Sequence, residues 1–201
     1  MKTLKAILLI LIFLAATNIN AQEKKTTFGV KIGLNASALG STDDKEFDNI
    51  KAKTGFHAGF TIDYAFTHKW YLLTGLEYTL KGSKIEYTNF HDWDVTAAYV
   101  QLPLCAGFKI FPSNKIAILF NLGPYFAYGL HGKVDTGAGK EDTFSDYFMK
   151  KFDCGITLGV ALEWQKLCFK LGGDVGLINI MQEAYTKAHM NNFTLSAGYK
   201  F

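Results

Sequence analysis

From Phe28 onward, large apolar side chains recur at every second position in stretch after stretch. Phe28, Val30, Ile32 and Leu34 alternate with Gly29, Lys31, Gly33 and Asn35; Phe56, Phe60, Ile62 and Tyr64 alternate with His57, Gly59, Thr61 and Asp63. A period of two is the signature of a strand with one apolar and one polar face. The same pattern predicts strands over 28–38, 55–66, 70–81, 97–110, 115–130, 151–163, 167–177 and 192–201. Pro124 falls on the apolar parity of the fifth and predicts a break in its ladder. The connections alternate in length. Thr67-His68, 111–114 and Trp164-Gln165 are tight turns, whereas 40–54, 82–96, 131–150 and 178–191 are long polar loops.

Eight strands joined alternately by long and short connections predict an all-β, eight-stranded antiparallel up-and-down barrel. Two kinds exist, and the placement of the faces separates them. A soluble lipocalin-like carrier turns its large apolar groups inward. Here the second face is glycine, threonine, asparagine and scattered charge, which suits the narrow interior of an eight-stranded barrel, while rows of Phe, Leu, Ile and Val suit lipid. Strands of about 11 residues, tilted about 45°, cover roughly 25 Å of bilayer. Tyr64, Phe66, Trp70, Phe111, Trp164, Tyr199 and Phe201 gather near the short-turn end, and Tyr78, Tyr128 and Phe152 near the other, as two interfacial belts require. The expectation is a transmembrane β-barrel in the outer membrane, monomeric, with both chain ends in the periplasm and outer-membrane lipids as its surroundings.

The amino terminus agrees. Lys2 and Lys5 precede an apolar run over 6–16, then a short polar stretch and Ala21, which predicts a signal peptide over 1–21 and a mature barrel domain over 22–201. The run is too short for a membrane-spanning helix, and with no cysteine near the cleavage point no lipid anchor is expected. Removing Lys2 and Lys5 from the 21 basic residues leaves 19 against 18 acidic ones, a formal charge of +1 that gives no reason to expect a nucleic-acid partner. Every basic residue is lysine, so the bidentate guanidinium fork is absent. Cys105, Cys154 and Cys168 are odd in number and differ in face parity, which predicts free structural thiols.

The last stretch, ending Tyr199-Lys200-Phe201, resembles the carboxy-terminal insertion signal of bacterial outer-membrane barrels. It makes Tyr199 and Phe201 the expected carriers of that signal and the outer-membrane barrel assembly machinery an implied partner. Further stretches carry a family resemblance: Gly29-Val30-Lys31-Ile32-Gly33-Leu34-Asn35, Gly55-Phe56-His57-Ala58-Gly59, Thr74-Gly75-Leu76-Glu77-Tyr78 with Lys81-Gly82, Tyr99-Val100-Gln101-Leu102-Pro103-Leu104, and Leu122-Gly123-Pro124-Tyr125. As a set they resemble the PorT-like outer-membrane β-barrel proteins of Bacteroidetes. The resemblance covers nearly the whole mature chain. It implies an eight-stranded outer-membrane barrel and little about activity, although one named member acts in the type IX secretion pathway.

Candidate chemistry lies in the lumen and the loops. The lumen-facing charges are Lys31, Asp63, Glu77, Lys81, Lys109, Asp153, Glu163, Lys166, Lys170, Asp174 and Lys200. Charges in a narrow barrel are costly unless paired. A lumen charge network of Lys31, Asp63, Glu77, Lys81, Asp153, Glu163, Lys170 and Asp174 is therefore expected, with Lys31 pairing Asp63, and Glu163 near Lys166 and Lys170. A lipid-modifying enzyme would need a nucleophile and base at the outer rim, for which His91, Asp92, Asp94, His131, Asp142, Ser145 and His189 are the available groups. Their spacing matches no catalytic or metal-ligand motif, nor is there a phosphate-binding loop, so no enzymatic activity, metal or cofactor is expected. Loop 40–54 is dense in charge, and loop 131–150 adds Phe144, Tyr147, Phe148 and Met149, which favours contact with a partner. The function expected is a structural or surface-interaction role carried by long external loops; the alternative is a part in secretion or small-solute transport across the outer membrane.

Overall fold

A computed structural model of the chain describes residues 25–41, 49–86, 92–137, 139–145, 148–182 and 187–201. Among these, nine strands form: β1 (Thr26–Ser41), β2 (Asn49–Ala65), β3 (Trp70–Glu86), β4 (Trp93–Ser113), β5 (Ile116–Asp135), β6 (Lys140–Asp142), β7 (Phe152–Trp164), β8 (Leu167–Gly176) and β9 (Ala188–Lys200). All but β6 close into one antiparallel barrel. Neighbours in sequence pair in turn, and β1 meets β9 in a register running from Gly29 opposite Lys200 to Ser41 opposite Ala188. Closure leaves no open edge, which matters in a bilayer where no water satisfies backbone groups. The signal-peptide expectation over 1–21 lies outside the described residues.

The faces are those of a membrane barrel. Ile32 and Leu34 are 64% and 61% exposed on the outside, while His57 and Lys81 are 0% and 1% exposed within. Among the described residues no helix is long and apolar enough to cross a membrane. The turns at the short-connection end place Phe66, Trp70, Phe111, Trp164, Tyr199 and Phe201 on the outer surface. Several meet in pairs, edge-on or tilted: Tyr64 with Phe66 at 5.2 Å, Trp70 with Phe108 at 5.0 Å, and Tyr199 with Phe201 at 5.7 Å between ring centroids.

The strands run past the expected boundaries at the other end. β4 and β5 have 21 and 20 residues, against 13 for β7 and 10 for β8. About 11 residues suffice for the bilayer, so one wall of the barrel rises beyond it. Strand continues into the stretches expected as loops at 40–54, 82–96, 131–150 and 178–191, and β6 pairs with the end of β5. In this collar the faces exchange roles. Ile85, Val95, Ala97, Tyr99 and Val134 point inward and are buried, while Lys84 and Lys133 face out and Asp94 and Thr96 are half-buried. Outside the membrane, water again drives apolar groups inward.

Pro124 does not end β5. It pairs opposite Ile156 on β7, while the β4 side of the ladder skips from Tyr125 to Leu122. The missing N–H is therefore lost on one side only.

Candidate functional site: the lumen and its outer cap

The interior is built in layers. At the short-turn end, Asp63 of β2, Lys109 of β4, Glu163 of β7 and Lys200 of β9 form one cluster. The Lys200 ammonium pairs with Asp63 and lies 2.5 Å from Glu163 Oε1. Lys109 Nζ donates to Glu163 Oε2 at 2.9 Å and lies 3.9 Å from Asp63 Oδ2. Two cations face two anions, so the layer is neutral. The Lys109 ammonium also rests 4.1 Å from the centroid of the Tyr71 ring.

The next layer depends on glycines. Lys31 lies opposite Gly59, and Gly59 lies opposite Glu77 one strand further. With no side chain at Gly59, the Lys31 ammonium crosses β2 and pairs with Glu77. His57 and Ser196 flank Gly33 in the same way, and Nε2 meets Oγ at 2.8 Å with the imidazole lying in the Gly33 notch. The expected Lys31–Asp63 pair does not form, because Asp63 stands opposite Thr27, four positions along β1. Glu163 likewise pairs with Lys109 and Lys200 rather than with Lys166 or Lys170. Lys166 is not in the lumen. It is exposed in the β7–β8 turn with its ammonium 5.7 Å from the Tyr199 ring centroid. Lys170 makes no ion pair among the described residues. It lines, with Lys31, Cys105, Asn121, Cys168 and Lys200, a cavity of about 80 Å³, with room for a few waters. All three cysteines are free thiols.

Above the cavity, Asp174 accepts hydrogen bonds from Gln101 Nε2 at 3.1 Å and Asn192 Nδ2 at 3.2 Å and forms an ion pair with Lys81, whose Nζ lies 3.3 Å away. Lys81 also sits 4.7 Å from the Tyr125 ring centroid, and the Tyr125 hydroxyl donates to Asp153 Oδ2 at 3.1 Å. Asp174, buried between two donors and a cation, avoids the penalty of an uncompensated ion.

The outer mouth is filled by the chain itself. Phe144, Met149, Ile180 and Met181 come from the segments after β6 and β8 and join Leu39, Ile85, Val95, Tyr99, Val134 and Met190 in one buried apolar cluster. Backbone bonds hold the two segments together: Met149 and Met181 bridge, the Lys150 N–H donates to the Ile180 carbonyl at 2.7 Å, and the Gln182 N–H to the Phe148 carbonyl at 3.0 Å. The Phe144 ring fills the space over Gly129, where a Cβ would stand 2.3 Å from it, and meets Tyr99 edge-on at 5.4 Å. This corrects the expectation for loop 131–150: Phe144 and Met149 are turned inward, and Tyr147 lies outside the described residues. Alternation could not signal the cap, since its residues belong to no long strand.

The loop groups considered for catalysis are dispersed, and four of them are engaged. Asp94 pairs with Lys53, His131 Nε2 lies 3.3 Å from the Tyr78 hydroxyl, Asp142 Oδ1 accepts the Phe144 N–H at 2.8 Å, and His189 Nδ1 lies 2.9 Å from the Ile178 carbonyl. His91 is outside the described residues. Among the described residues no cluster of three or more His, Cys, Asp or Glu could hold a metal.

A closed antiparallel barrel with lipid-facing apolar strands, paired charges inside and aromatic residues at its rims is a transmembrane barrel of the outer-membrane type. The chain belongs to the outer membrane protein beta-barrel domain family, whose model matches residues 20–182, and its place is the outer membrane. Among solved structures it is similar to the outer membrane protein OprG from Pseudomonas aeruginosa, at 12% identity over 87% of this chain and 95% of that one, with a TM-score of 0.52. Similarity extends to Ail, the attachment invasion locus protein of Yersinia pestis, at 15% identity over 88% and 99% and a TM-score of 0.46. Neisserial surface protein A follows at 13% identity over 87% and 97%, with a TM-score of 0.45. Among curated protein sequences none matches.

Proposed function

We propose that this protein is a closed, monomeric outer-membrane barrel with a structural and surface-interaction role, presenting its raised collar to the exterior and carrying no solute through its lumen. The observation that carries this reading is that the lumen is obstructed at separate levels. Two charge layers, around Glu163 and around Asp174, lie below an apolar cap whose members are buried. Opening a path would require removing charged groups from their partners as well as displacing Phe144 and Met149. The internal cavity of about 80 Å³ is too small for a solute beyond a few waters, so transport is the weaker reading. No catalytic role is assigned, because Asp94, His131 and His189 are each engaged by a separate neighbour rather than gathered around one point. Within the family, the stretches around Lys31, His57, Glu77 and Gln101 support a place beside the PorT-like proteins, and Tyr199 and Phe201 at the end of β9 support an insertion signal read by the barrel assembly machinery. The test is single-channel recording on the purified protein in planar bilayers. The reading requires a flat baseline across the voltage range; a steady, reproducible unitary conductance would overturn it.

A further inference from the structure

The short-turn rim carries a charge pattern that neither the lumen nor the cap uses. Lys25 precedes β1, Lys69 lies in the β2–β3 connection, Lys115 in the β4–β5 turn and Lys166 in the β7–β8 turn, and all four are exposed. Backbone bonds fix their places around the circumference: the Lys25 carbonyl accepts from Ala65, that of Lys69 from Lys109, that of Lys115 from Gln165 and that of Lys166 from Lys200. The two carboxylates nearest this end, Asp63 and Glu163, are buried and already paired with Lys109 and Lys200. No Asp or Glu side chain is exposed on this rim among the described residues. The outer collar differs, since Asp92, Glu141 and Asp142 are exposed there beside its lysines.

We propose that Lys25, Lys69, Lys115 and Lys166 form a ring that binds the anionic headgroups of phospholipids in the periplasmic leaflet. Two observations favour lipid over a protein partner. The lysines go all the way round the barrel, as the leaflet does, whereas a docked protein covers one side. They also stand beside the aromatic belt: Lys69 precedes Trp70, Lys166 lies two residues after Trp164 with its ammonium against the Tyr199 ring, and His68 stacks on Phe111 at 4.6 Å. Aromatic residues at that level mark the headgroup region, and lysine stems reach from it to phosphate.

The experiment folds the full chain into phosphatidylcholine vesicles with and without equimolar phosphatidylglycerol and follows urea unfolding at low and high salt. Wild type gains stability from phosphatidylglycerol at low salt, by about fivefold in the folding equilibrium per lysine engaged, and loses the gain at high salt. The K25Q/K69Q/K115Q/K166Q variant keeps its stability in phosphatidylcholine but shows no gain. The matching lysine-to-arginine variant, which folds with the charge intact, retains it. An equal gain in wild type and the glutamine variant overturns the proposal, as does absence of any gain in wild type together with binding of soluble polyglutamate, which would assign the ring to an acidic protein.

Discussion

Gly59 decides whether Lys31 can reach Glu77, because a Cβ there would stand 2.4 Å from the Leu76 carbonyl oxygen and 2.8 Å from Glu77 Cα. Glu77→Ala leaves the Lys31 ammonium without its partner in a mostly buried position. Loss of one member of a buried pair costs about 3–5 kcal/mol, so the urea midpoint in vesicles should fall clearly. The double change Lys31→Met with Glu77→Leu should recover most of that loss, and failure to recover would mean that the pair is not the source. A second residue-scale expectation concerns pH. The Gly137 N–H donates to Asp135 Oδ1 at 3.1 Å and Lys140 lies 3.4 Å away, which holds the Asp135 carboxyl below the usual aspartate range. A carboxyl whose folded pKa is depressed stabilises the β5–β6 turn above its unfolded pKa and stops doing so as pH falls through the folded one. Protection of the Gly137 amide against hydrogen exchange should therefore persist down to the ordinary aspartate pKa and weaken below it; earlier loss would contradict the contact.

Among the elements, the β7–β8 turn and the outer cap carry separate expectations. Gln165 occupies the first position of a two-residue turn at φ 55°. The left-handed region costs an ordinary residue about 1–2 kcal/mol, part of which glycine returns through its freer unfolded chain. Gln165→Gly should therefore raise stability by a few tenths to about 1 kcal/mol, read as a higher urea midpoint. The cap rests on Phe144 in the Gly129 notch. Phe144→Ala removes a buried ring, a change worth about 3–5 kcal/mol in a packed core. Because β6 and the cap segments contribute no strand to the eight-strand cylinder, the cost should appear as faster protease cleavage around 143–150 while the heat-modifiable gel shift of the barrel remains. A lost shift would instead show that cap and barrel fold as one unit.

For the whole molecule, alternation was enough to give the strand order, the closed barrel and the lipid-facing side, because a period of two fixes which residues share a face whatever the neighbouring strand does. The excess of Phe, Leu and Ile on one parity and of Gly, Thr and charge on the other then settled inside and outside. Alternation says nothing about stagger. A closed barrel shears its strands, so Lys31 and Asp63, equal in depth when counted from the turns, stand four positions apart, and the partners of Lys31 and His57 lie two strands away across a glycine. Nor could it show where the bilayer stops, since strand continues into the collar with its faces exchanged. Only the tertiary structure decided which charges meet, how far the wall rises beyond the membrane and that Phe144 and Met149 turn inward. Each depends on register and on segments without period, and both are set by packing between strands rather than by the order of residues within one.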